Sequence, residues 1–143
     1  MMQSDNVELA EEQGATVINF QTVVQRITAD RLAAALLRLA SDGSIRLVEA
    51  LASTIVNGLR SESDIDRPFG LERVDLLRFP SSLAHDDSPK TAAFRRIARR
   101  ALSGTLNDPT GGATAFHHID ASPEWSVDLL PITVFGSFLF YRT

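Results

Sequence analysis

Asn107-Asp108-Pro109-Thr110-Gly111-Gly112-Ala113-Thr114-Ala115-Phe116-His117-His118 is where this chain changes character. Upstream of it, apolar residues recur at steps of three and four. Downstream, short aromatic and β-branched runs alternate with turn residues. Pro109 fixes its own φ, Gly111 and Gly112 permit positive φ, and Asp108 and Thr110 can bond nearby backbone. The block is therefore a tight turn feeding a strand over residues 114–119. Ser122-Pro123-Glu124-Trp125 follows, and residues 132–135 and 138–141 flank Gly136-Ser137, a pair suited to a two-residue hairpin. Helices first and a small antiparallel sheet last predict an α+β fold.

Working upstream, a helix is capped by Ser88 or Asp87, opens on Pro89 and stops at Gly104. Phe94, Ile97, Ala98, Ala101 and Leu102 form its buried stripe. Arg95, Arg96, Arg99 and Arg100 fall on the other side, as a solvated face or as a patch for phosphate or acidic polymer. An earlier helix begins near Thr28-Ala29-Asp30 and ends at Asp42-Gly43, with Ile27, Leu32, Leu36, Leu37 and Leu39 marking its period. Ser44 is the expected N-cap of the next, whose Ile45, Val48, Ala52, Ile55 and Leu59 share a face. The short link between these two predicts an antiparallel hairpin.

Pro68, Gly70 and Pro80 break the pattern over residues 61–87, leaving an irregular crossing with a short helical turn at 71–77. Residues 1–19 carry Asp5, Glu8, Glu11 and Glu12 and no Lys or Arg, which predicts a flexible acidic arm before a single domain at 20–143.

The 143 residues suffice for one buried core. The absence of cysteine excludes disulfides, thiol nucleophiles and thiolate metal sites. A net charge of −4 gives no reason to expect nucleic acid. The first residues lack the basic start and apolar run of a secretory signal, so the chain reads as cytoplasmic when made. No stretch is long and apolar enough for a bilayer span.

His117 and His118, adjacent on a strand, face opposite ways, one packed and one exposed, or one lining a cleft. No His-x-His spacing supports a metal, and no cofactor is implied. Trp125 offers a flat face to a sugar, or plugs the edge of the sheet. Ser81, Ser82, His85 and Asp86 lack the elbow that a serine nucleophile needs.

The Ala98–Ala113 run, the aromatic and histidine-containing strand, the tryptophan and the closing hairpin resemble the SleB-like cell-wall hydrolases, over about residues 30–142. A second, weaker match is residues 49–60, which looks like that family's helix ending in an asparagine signature at Asn57. The resemblance implies a lysozyme-like helical core and cleavage of peptidoglycan glycan strands by a single glutamate acid. It also implies a substrate wall at Asn57, Asp108, Thr110, Gly111, Gly112, His117, His118, Trp125 and Tyr141. Counting back from Asn57, the acid's position falls on Leu39 and the second acid of that run on Gly43. The family's Gln-Phe-Ser motif is altered to Arg78-Phe79-Pro80.

A glycosidic leaving oxygen needs a proton from a carboxylic acid held protonated near neutrality, and Leu39 has none to give. Asp42, almost one turn on, and Glu49, in the next helix, are the candidate surrogates. Three readings follow. One is a degenerate hydrolase-like domain that binds glycan strands or a protein that replaced them. Another is an active hydrolase or lytic transglycosylase with a displaced acid. The third is an interaction module, cytoplasmic or carried on a phage particle. A wall-acting chain without a leader would reach its polymer by a non-Sec route.

Overall fold

The computed structural model describes residues 29–60 and 86–143. The acidic arm, the crossing with its short helical turn, Arg78-Phe79-Pro80 and Ser81, Ser82 and His85 lie outside the described residues. Helix α1 is Ala29–Ala40, α2 is Ile45–Arg60 and α3 is Pro89–Ser103. Strands β1 (Ala115–His118), β2 (Thr133–Phe135) and β3 (Phe138–Tyr141) form an antiparallel sheet in the order β1-β3-β2, so the fold is α+β as the sequence predicts.

α1 stops at Ala40, two residues short of the expected end, because Gly43 N–H turns back onto the Ala40 carbonyl at 3.0 Å. Ser44 caps α2, its hydroxyl accepting from Leu47 N–H at 3.1 Å. Eleven of the sixteen α2 residues are buried, well beyond the expected stripe, while Ile45 at its start is 51% exposed. The excess has a packing cause: α1 and α3 lie on α2, and so do β1 and β2. A helix covered on several sides has little polar face to keep. Ala50, Ala52, Ser53 and Gly58 let these neighbours approach, and the buried Thr54 hydroxyl donates to the Ala50 carbonyl at 2.8 Å. α1 leans chiefly on α3 rather than on α2, its partner in the expected hairpin.

At α3 the predicted punctuation is present. The Ser88 hydroxyl accepts from Thr91 N–H at 3.2 Å, Pro89 occupies the first turn, and Gly104 closes the helix at φ 80°. Asp86 strengthens this start by accepting from Ser88 N–H at 2.9 Å and the Thr91 hydroxyl at 2.8 Å. Those bonds, the Ser88 one first, hold its carboxyl below the usual range. Arg96, Arg99 and Arg100 are exposed as expected. Arg95 is not, because its Nε bonds Asp30 of α1 at 2.6 Å and ties the two helices together.

In the sheet, register puts Phe116 opposite Phe140 and His118 opposite Phe138, with Thr133 and Phe135 completing that face. This face meets the helices, and Phe116 and Phe140 are among the largest fully buried side chains. Gly136, at φ 55°, turns the hairpin with its α-carbon so near Leu47 that a Cβ would come within 3.2 Å of that side chain. Among the described residues no helix is long and apolar enough to cross a membrane.

Candidate functional site

The Asp108 turn is built around one carboxylate. Oδ1 accepts from Thr110 N–H at 2.8 Å and the Thr110 hydroxyl at 2.6 Å. Oδ2 accepts from the Asn57 amide at 2.8 Å and Gly112 N–H at 3.0 Å. Asn57 Nδ2 also donates to the Ala113 carbonyl at 3.0 Å, and Ala113 N–H donates to the Thr110 hydroxyl at 3.0 Å. Arg142 reaches back to the Gly111 carbonyl, and Gly111 and Gly112 take φ of 72° and 105°. Partial burial raises the Asp108 pKa, but the hydrogen bonds from Thr110, Asn57 and Gly112 outweigh it and hold the carboxyl below the usual range. An ionised group with four donors already in place is neither a proton source nor a free acceptor. Asn57, Asp108, Thr110 and Gly112 thus come together as a clasp between α2 and the turn.

His117, Trp125 and Tyr141 come together on the far face of the sheet. The His117 ring stacks on Tyr141 at 5.3 Å, and Trp125 meets both edge-on at 5.7 and 5.3 Å. His117 Nδ1 lies 2.8 Å from the His118 carbonyl and Nε2 lies 2.8 Å from the Tyr141 hydroxyl. A carbonyl only accepts, so in the neutral ring Nδ1 carries the proton and Nε2 accepts from Tyr141. Burial pushes the Tyr141 phenol up, with the Ser126 hydroxyl pulling it partway back. Trp125 packs against this cluster and the core, sitting over the sheet as a plug. Tyr141→Phe leaves Nε2 buried without a donor, and an expected loss of about 1 kcal/mol is readable by urea unfolding.

The space these elements leave is a groove along β1. One cleft of about 490 Å³ is lined by Arg38, Leu39, Phe116, His117, His118, residues 121–123 and Phe138. A second, of about 520 Å³, runs past residues 38–44, Leu47, His118 and residues 136–138. They share Arg38, Leu39, His118 and Phe138, so they meet at a waist between the end of α1 and the sheet. Its floor is apolar, Leu39 from the helix side and Phe138 from the sheet, and Phe116 extends that floor into the first cleft.

Neither surrogate acid stands at that waist. Burial or a neighbouring negative charge is what keeps a carboxyl protonated near neutrality. Asp42 sits on the far rim of the second cleft with its side chain 98% exposed, 3.7 Å from Lys90 Nζ. Glu49 lines neither cleft and pairs with Arg46 at 3.9 Å. Of the wall residues named from sequence, only His117 and His118 line the groove. Asn57 and Asp108 border a separate pocket of about 80 Å³ beside Arg60. Arg38, Phe116 and Phe138 are among the lining residues that sequence reasoning missed. An arginine beside an apolar helical stripe and aromatics within strands carry no signal separating groove from surface or core. No family model, curated protein or solved structure matches this chain.

Proposed function

We propose that this chain is a non-cutting relative of the SleB-like cell-wall hydrolases, which holds a glycan strand in the groove between α1 and β1. One observation carries the reading: Leu39, at the position where the resemblance implies an acid, is the helix-side floor of the groove. An apolar floor with aromatic edges suits the C–H faces of sugar rings, and the rim at Ser122, Ser137 and His118 offers partners for hydroxyls. The two sequence blocks that carry the resemblance also touch, through the Asn57–Asp108 bond across 51 positions, which supports reading them as parts of one design.

The test uses the full chain and purified sacculi. Co-sedimentation with sacculi is expected, without release of soluble fragments. The missing acid should leave any turnover roughly 100- to 10,000-fold below that of a competent hydrolase. Release at ordinary hydrolase rates would overturn the non-cutting reading, and failure to sediment would overturn the binding one.

A second reading, an interaction module, is favoured by a different observation. Val127, Leu130 and Val134 are 70%, 88% and 52% exposed along one short stretch, and Leu129 and Ile132 beside them are exposed too. Such a run marks a surface for protein contacts. Recovery of a stoichiometric protein partner from native extract, with no retention on sacculi, selects it.

A further inference from the structure

One face of α3 carries cations with nothing to pair them. Arg99 and Arg100 lie three and four positions after Arg96, all three are exposed, and their guanidinia have no partner among the described residues. The helix itself contains no acid. Acids that come near it are engaged by other groups: Asp30 bonds Arg95, Asp42 stands beside Lys90, and Asp86 is taken up by the N-terminal cap. Like charges at these spacings repel, so carboxylates brought to this face would stabilise the helix.

The sequence holds a matching excess of acid. Asp5, Glu8, Glu11 and Glu12 account for the whole net charge of −4, because residues 26–143 contain fourteen acids and fourteen bases. No Lys or Arg precedes Arg26, so these carboxylates have no cation within their own stretch. The path to α3 is short. The chain enters α1 at Ala29, and Asp30 is bonded to Arg95 at 2.6 Å, which tethers the acidic stretch beside Arg96. From Glu12 to Asp30 is eighteen residues, a reach of about 60 Å at full extension, against about 8 Å of helix axis from Arg95 to Arg100.

We infer that residues 5–12 of this chain dock on the Arg96, Arg99 and Arg100 face of α3 as a built-in counter-ion. A single exposed ion pair is weak. The tether raises the effective concentration of the acids to the order of millimolar and lets several weak pairs act together. An outside polyanion then reaches this face only by displacing the chain's own acids. The docking does not depend on what the groove between α1 and β1 holds.

The chain has no cysteine, so Ala10→Cys gives a single attachment point for a nitroxide on the full chain. At low salt the amides of residues 96–103 are expected to lose intensity relative to the reduced label. They should recover above about 0.5 M salt, where screening shortens the reach of exposed charges to a few ångströms. Asp5→Asn, Glu8→Gln, Glu11→Gln and Glu12→Gln together should abolish the loss at low salt. The same four changes should tighten binding of inorganic polyphosphate about 10-fold, and Arg96→Gln, Arg99→Gln and Arg100→Gln together should erase that gain. The replaced arginines are exposed, and the dispersion of the amide spectrum checks that each variant is folded. No loss at residues 96–103, or loss confined to other amides, overturns the inference. Loss in isotope-labelled chains mixed with nitroxide-bearing unlabelled chains assigns the docking to a second copy and overturns it too. So does a polyphosphate gain that survives the arginine substitutions, since that gain would belong to net charge and not to this face.

Discussion

Asp108→Ala is expected to lower the stability of the fold by about 3 kcal/mol, measured as a shift in urea midpoint with an unchanged slope. The substitution strands four donors at once: Thr110 N–H, the Thr110 hydroxyl, Gly112 N–H and one Asn57 amide hydrogen. Water reaches part of this site, which keeps the loss below the sum for four fully buried bonds. Asn57→Ala removes one of those bonds and the bond to Ala113. The double variant should therefore lose less than the two single losses added together, by about 1 kcal/mol. pH gives an independent check. The Asp108 carboxyl is held below its usual range in the folded state. Its contribution is present in full above the unfolded carboxylate value of roughly 4 and fades as pH falls through the lower folded value. The gap between wild type and Asp108→Ala should accordingly be wide at neutral pH and narrow in acid. A gap independent of pH would show that the lost stability was not that of an ionised group.

Phe140→Ala should be the other severe change, with a loss of about 4 kcal/mol and a correspondingly large fall in Tm. Phe140 is fully buried in β3, the central strand, and its ring lies 6.3 Å from Phe116 and 5.9 Å from Phe135. Truncation opens a cavity in the layer between sheet and helices, which the backbone pairing on both sides of β3 prevents from collapsing. Leu139→Ala is the internal control. It sits one residue away on the opposite face, only partly buried, and should lose less than about 1.5 kcal/mol. Similar losses at the two positions would contradict the assignment of faces.

The elements that sequence reasoning placed well are those fixed by local chemistry. Ser44, Ser88, Pro89, Gly104 and Gly136-Ser137 act within a few residues of themselves, so their roles are legible without knowing what packs nearby. The opposite orientation of His117 and His118 follows in the same way from strand alternation. What was not legible depends on distant partners. Arg95 belongs by spacing to a solvated face, and only the arrival of Asp30, 65 positions away, turns it inward. α2 shows one apolar stripe, and its remaining sides are buried because a sheet from the other end of the chain covers it. The Asp108 block was legible as a turn but not as a clasp, since Asn57 alone does not announce its partner. Trp125 offers a sugar platform by residue type, and Tyr141 joins that wall only through the family resemblance. Their enclosure with His117 is a product of the fold.

Vectorial synthesis gives the Asn57–Asp108 bond a further meaning. Asn57 leaves the ribosome about fifty residues ahead of Asp108, and β1, β2 and β3 come later still. During that interval α2 has neither its clasp nor its sheet, and apolar surface that ends up interior is open to other chains. The helical half is therefore a dependent intermediate rather than a preformed platform. A ribosome stalled soon after Gly104 would display a fragment prone to association, and chaperone demand for the helical half should persist until residues 105–143 have been made.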